Sequence, residues 1–205
     1  MSKYYNLSGV DWRREKVYGK SRGNQLVSKM EDNLDQEVLY YLDEGIINHL
    51  ADSMRVESLE FKDHYPNQFN DYSFLTAPAY KAFEGYLFQI AKEMKLPSSS
   101  PKLIGTYFDE GRVDETIDNL LKELEAKSEG TAKLSKDEKQ FIKDMVSEMK
   151  RFLFHYRHTP AHYIGDLIDT ADKAEQNIHS IYRIINETTK TLLKAKLISP
   201  SDDVH

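Results

Sequence analysis

An all-α fold is predicted by three features of the 205-residue chain. Apolar residues recur at steps of three and four from residue 33 onward. No stretch alternates apolar and polar residues as a half-buried strand does, and no block repeats at a fixed period. Together these read as an antiparallel helical bundle of about five helices. A chain of this length buries roughly 70% of its unfolded surface, enough for one core. The expected organisation is a main helical domain over 71–205 and an N-terminal extension over 1–70 that carries one helix and packs on it.

In chain order, residues 1–32 are polar and turn-rich, with Gly9, Gly19 and Gly23 and no clear period. Leu34, Val38, Tyr41/Leu42, Ile46, Leu50 and Met54 then keep helical spacing across 33–54. Pro66 and several Asn and Asp make 57–76 a loop. Ala77 to Lys95 follows as a helix with the stripe Tyr80, Phe83, Leu87, Ile90, Ala91 and Met94. Glu84 lies within that stripe, directly before Gly85, and a carboxylate on an apolar face needs an arginine or histidine partner. Gly85 allows another backbone to approach closely. After the loop Pro97–Pro101, a helix spans 106–124, with Gly111 as its weak point.

Ser135-Lys-Asp-Glu138 is a capping box that opens the next helix. Ile142, Met145, Met149, Phe152 and Tyr156 mark its apolar face. The last helix is expected from about Pro160 to Lys196, with Ile164, Ile168, Ala171, Glu175, Ile178, Tyr182, Ile185, Thr189 and Leu192 as a heptad seam. Such a seam serves packing inside the bundle or against a second copy.

Arg151-Phe-Leu-Phe-His-Tyr-Arg157-His158-Thr159-Pro160-Ala-His162 joins these two helices and holds two arginines and three histidines. Pro160 ends the incoming helix, and Thr159-Pro160 reads as the cap and first position of the next. That places His162 in a first helical turn, where free N–H groups and the helix dipole favour an anion and a neutral imidazole. Arg157 would flank it.

Charge limits the partners. The net value of −6 argues against a protein that coats nucleic acid broadly. Residues 139–162 nonetheless carry five Lys/Arg against Asp144 and Glu148, a local +3 suited to a short contact with a phosphate backbone. Without cysteine there is no disulfide, thiolate metal site or cysteine nucleophile. The first residues show no apolar run of the signal-peptide kind, and no segment approaches the ~20 apolar residues of a membrane helix. The expected location is the cytoplasm, without membrane association.

Arg157-His158-x-x-x-His162, after the apolar run Phe152–Phe154, resembles the signature of the HEPN superfamily of helical ribonucleases: an arginine, a polar residue, and a histidine four to six positions past the arginine. Taken with Thr76-Ala-Pro-Ala-Tyr-Lys-Ala-Phe-Glu84-Gly-Tyr-Leu and Leu103-Ile-Gly-Thr-Tyr-Phe108, residues 72–195 look like the C-terminal catalytic domain of RNase LS-type toxins of bacterial toxin–antitoxin and phage-defence systems. The resemblance implies a HEPN-like bundle and a metal-independent endoribonuclease that needs no cofactor. It carries the catalytic roles onto Arg157, His162 and Glu84. His158, Arg151 and Lys150 are the expected substrate-binding residues. RNA, a neutralising antitoxin protein and a second copy of the chain are the implied partners.

Two rival readings use the same residues. His155, His158 and His162 would share one face of an unbroken helix and could ligate zinc, but Pro160 breaks that helix and the arginines repel a cation. Alternatively the cluster belongs to a non-catalytic helical module that holds a nucleotide or a protein partner.

Overall fold

The computed structural model of the chain describes residues 30–57, 69–94, 104, 113–127, 135–152, 168–194 and 197–198. Among the described residues the regular structure is helical, without strands, and it forms an all-α bundle. A helical turn at 30–33 leads into α1 (Gln36–Tyr41) and α2 (Glu44–Glu57). Then come α3 (Ser73–Glu93), α4 (Val113–Lys127), α5 (Lys136–Phe152) and α6 (Ala171–Lys194).

The segment 33–54, expected as one helix, is divided. Asp35 and Leu42 both take extended backbone conformations, with ψ near 148° and 136°. Every apolar residue singled out by the spacing is still buried: Leu34, Val38, Tyr41, Leu42, Ile46, Leu50 and Met54. The period therefore identified the inward face but not the breaks. The second break is held from a distance by the Gln89 amide on α3. Its Nε2 donates to the Tyr41 carbonyl (2.8 Å) and its Oε1 accepts from the Asp43 N–H (3.0 Å).

Helix α3 begins four residues earlier than its sequence indicated. The Asp71 carboxylate accepts from both the N–H and the hydroxyl of Ser73, each at 2.9 Å, and so opens the helix. Pro78 falls in the second turn, where it removes the N–H that would bond the Phe74 carbonyl. Its buried face is Leu75, Thr76, Ala79, Ala82, Phe83, Tyr86, Leu87, Ile90 and Ala91.

Helix α2 is the principal neighbour of α3. A Cβ added at Gly85 would stand 3.1 Å from Ile46 Cγ1, so the close approach expected there is made by an α2 side chain. Ile46 lies beside Gly85 while Tyr41 donates to Glu93 (2.7 Å), so the two segments run in opposite directions. Burial, followed by that hydrogen bond to Glu93, pushes the Tyr41 phenol above its ordinary pKa.

Helix α6 covers the other side of the core. Tyr72 N–H bonds the Ile168 carbonyl (2.7 Å) near its start, and Thr189 Oγ1 meets the Tyr86 hydroxyl (3.0 Å) near its end. The helices α3 and α6 thus ascend together. Burial raises the Tyr86 phenol above its usual pKa. Tyr182 and Ser53 both reach the Leu50 carbonyl at 2.7 Å and lie 2.8 Å from each other. With two hydroxyl protons for three contacts, two of them are hydrogen bonds at any one time, and each oxygen keeps a partner while α6 is fastened to α2.

The last helix does not run unbroken from Pro160. Residues 168 and 169 are not helical, and Thr170 caps the first turn through its Oγ1 and carbonyl, which accept from the Lys173 and Ala174 N–H groups at 3.2 Å. The buried seam is Ala174, Ile178, Ile181, Tyr182, Ile184, Ile185, Thr188, Thr189 and Leu192. Glu175, assigned to the seam from sequence, is partly exposed and faces His179 at 3.8 Å. Ile168 instead joins Tyr72, Leu75 and Ala174 in a small separate cluster. The seam is consumed inside the bundle.

Candidate functional site

Helix α5 is the element that leads into the Arg/His junction. It starts where the capping signal put it, with Ser135 outside the helix and its carbonyl accepting from Lys139 N–H (3.2 Å). Ile142, Met145, Val146 and Met149 are buried and fix its rotation against the core. Its outer residues include two of the expected substrate-binding positions. Lys150 is half-buried, and the Arg151 side chain is 63% exposed and 3.8 Å from Glu148. That separation is an ion pair too long for a hydrogen bond. Glu148 is shared, since Arg183 of α6 approaches the same oxygen at 3.4 Å.

Arg157, His158 and His162 lie outside the described residues, as do His155 and the Thr159-Pro160 corner. Glu84 is described. It sits half-buried on α3 at the margin of the apolar face, between Tyr80 and Phe88 one turn away on either side, both partly buried. Placing it within the stripe was too deep. The most buried positions centre on Ala79, Ala82, Phe83 and Tyr86, and at ~100° per residue Glu84 falls at the edge of that arc. A half-exposed carboxylate there is less costly than a fully buried one.

Between α5 and α6 lies a cleft of about 230 Å³. Its floor is Met145, Ile184 and Thr188, and Phe141, 43% exposed, forms part of its wall. Asp144, Glu148 and Glu187 surround the single cation Arg183, so the lining is net acidic. An anionic substrate would be repelled from this side of α5. No group of three or more His, Asp or Glu side chains able to hold a metal occurs among the described residues. None of the described helices is long and apolar enough to cross a membrane.

The Gln89 clamp and the Asp35–Lys190 pair were not anticipated from sequence. Asp35 Oδ2 is 2.6 Å from Lys190 Nζ, and the Asp35 N–H donates to Asn186 Oδ1 (2.8 Å). Both contacts join residues far apart in the chain, and neither residue type forms a local pattern that would have marked them.

No curated protein and no solved structure matches the chain significantly. A family match does, over residues 24–155, which is more than half of the chain and takes in α1 through α5. It includes Glu84, Lys150 and Arg151 and stops two residues short of Arg157. By that match the chain belongs to the family described as RNase LS, bacterial toxin DBD domain.

Proposed function

We propose that the chain is a metal-independent endoribonuclease of the HEPN type, acting in the cytoplasm as a toxin or phage-defence effector. The observation that carries the reading is the R-x4-H sequence Arg157–His162 standing directly after a segment that matches an RNase LS toxin family. RNA supplies its own nucleophile. In this reading a base removes the proton of a ribose 2′-OH, the oxygen attacks the adjacent phosphorus, and the 5′-oxygen leaves after receiving a proton. Products end in a 2′,3′-cyclic phosphate and a 5′-hydroxyl.

His162 is assigned the proton transfers, work that contributes roughly 10²–10⁴-fold in rate. Arg157 is assigned the growing charge on the phosphorane-like transition state, for which a planar guanidinium is suited. Glu84 would orient one of them or act as the base, and its half-buried seat on rigid α3 supports a positioning role. His158, Arg151 and Lys150 are assigned to substrate binding. The test is cleavage of RNA by wild type and His162→Ala, with product ends analysed. Equal cleavage by both would remove the assignment.

A homodimer with two Arg157–His162 corners across a shared cleft would double the donors available to a polyanion. Since the α6 seam is buried within one chain, pairing would use another surface. A sedimentation run that finds a fully active monomer would exclude the shared cleft. A free ribonuclease is toxic to its own cell, so a neutralising antitoxin protein completes the reading.

The second reading is a non-catalytic module that binds a nucleotide or a protein partner. It is favoured by one observation: the family match ends before Arg157. Absence of cleavage by wild type, with nucleotide or partner binding retained, would select it.

A further inference from the structure

The lysines and the exposed carboxylates of α5 are sorted by side, and Arg151 falls between the two flanks, 3.8 Å from Glu148. At ~100° per residue, Lys136, Lys139, Lys143 and Lys150 fall within one sector of about 60°, and no acidic residue of the helix shares it. Asp137, Asp144 and Glu148 occupy a sector of about 40° on the other side of the exposed surface. The two flanks face different neighbours. Lys139 Nζ bonds Glu125 of α4 at 2.8 Å, whereas Glu148 meets Arg183 of α6 and Asp144 lines the acidic cleft.

Within the lysine flank, Lys139 is paired. Lys136, Lys143 and Lys150 form no ion pair with a described residue. These three stand seven residues apart, two helical turns or about 10.5 Å per step. In sequence the same interval continues to Arg157. Like charges at that spacing are close to a Debye length apart at 0.1 M salt, so the row costs little when empty and attracts a polyanion along its length.

We propose that Lys136, Lys143 and Lys150 form a track that holds the sugar–phosphate backbone of a single RNA strand along α5. The inference rests on the ribonuclease reading for its choice of polyanion and adds the surface the strand follows. Lysines are point charges that bind phosphate without reading bases. The track therefore contributes affinity and direction, not sequence preference. The acidic flank complements it by keeping the strand off the α6 side.

The experiment compares the full chain, Lys136→Gln/Lys143→Gln/Lys150→Gln, and the charge-matched control Lys81→Gln/Lys92→Gln/Lys194→Gln, whose lysines are exposed on α3 and α6. Binding of a fluorescent single-stranded RNA carrying 2′-O-methyl riboses, which cannot be cut, is titrated over a range of salt. Three lost phosphate contacts lower the magnitude of the log K against log salt slope by about 2 and weaken binding roughly tenfold or more at low salt. The control stays within about twofold of wild type. On cleavable RNA the track variant raises KM and leaves kcat nearly unchanged.

If wild type cuts RNA and the track variant binds as the control does, the track is wrong and the ribonuclease reading stands. If wild type binds RNA through the three lysines yet never cuts it, the track stands and the ribonuclease reading falls. No binding by wild type defeats both. A track variant that melts at lower temperature with unchanged RNA affinity assigns the flank to α4–α5 adhesion and overturns the proposal.

Discussion

The buried α2–α3–α6 packing and the outer surface of the α4–α5 pair are held by different forces, although Ile117, Ile142, Met145, Val146 and Met149 join α4 and α5 to the same core. In the first, buried aromatic and aliphatic side chains interlock, and hydrogen bonds join Tyr86 with Thr189 and both Tyr182 and Ser53 with the Leu50 carbonyl. On the second, Lys139 meets Glu125 and Gln140 meets Asp144 at the surface. Exposed pairs of that kind contribute about 0–1 kcal/mol. The contrast separates buried positions that specify the fold from exposed positions on α5 that contribute little to it. Substitutions in the first should cost stability, and substitutions on the second should cost function.

The largest effect expected is on activity. Arg157→Ala and His162→Ala should each lower RNA cleavage by at least roughly 10²-fold, the scale of lost acid–base or electrostatic catalysis, while circular dichroism and melting stay as in wild type. His155→Ala is the control. Loss of activity in that variant with His162→Ala active would move the site to the other histidine.

On the fold-specifying side, Tyr86→Ala should destabilise by about 3–5 kcal/mol, because it empties a fully buried site and strands Thr189. Phe141→Ala on the exposed face of α5 should stay within about 0.5 kcal/mol. Denaturant unfolding of the two variants side by side sharpens the comparison. Equal losses would mean that the exposed face of α5 contributes to the fold as much as the core does.

Gln89→Leu should cost roughly 1–2 kcal/mol. It removes both hydrogen bonds of the amide, leaving the Tyr41 carbonyl without that partner, while Asp43 can turn to water. Urea titration gives the number, and a variant as stable as wild type would show that the bend between α1 and α2 holds itself.

Much of this architecture was legible in the residues. Burial follows period, so Leu34 to Met54 and Ile142 to Met149 could be assigned inward without coordinates. The Ser135 start was legible because a cap is a local signal. The bend at Leu42–Asp43 was not, since the group that holds it arrives from Gln89, distant in sequence. The break at 168–169 was not legible, since the residues that set it, Tyr72 and Leu75, pack with Ile168 from far away in the sequence. For the candidate site, residue types suggested the chemistry proposed for Arg157 and His162, which lie outside the described residues. They could not disclose that Glu84 lies at the margin of its face, or which neighbours the two flanks of α5 meet.

The smallest effect expected concerns the tie between the segment before α1 and α6. Lys190 donates to the Asp35 carboxylate, and that hydrogen bond holds the Asp35 pKa below its ordinary value. The same contact raises the Lys190 pKa. For a carboxyl whose folded-state pKa is depressed, the stabilisation is complete above the unfolded value of about 4 and is lost as pH falls through the folded value. For an amine whose folded-state pKa is raised, it is complete below the unfolded value near 10.4 and lost as pH rises past the folded one. The pair therefore adds a shallow plateau of stability between about pH 4 and pH 10, weakened by salt because both groups are exposed. Asp35→Asn should lower the melting temperature slightly across that plateau, by less than Gln89→Leu does, and converge on wild type below pH 4 or in molar salt. A difference that persisted at low pH and high salt would show that Asp35 acts through its helix-opening position instead of its charge, making this contact part of the fold-specifying core.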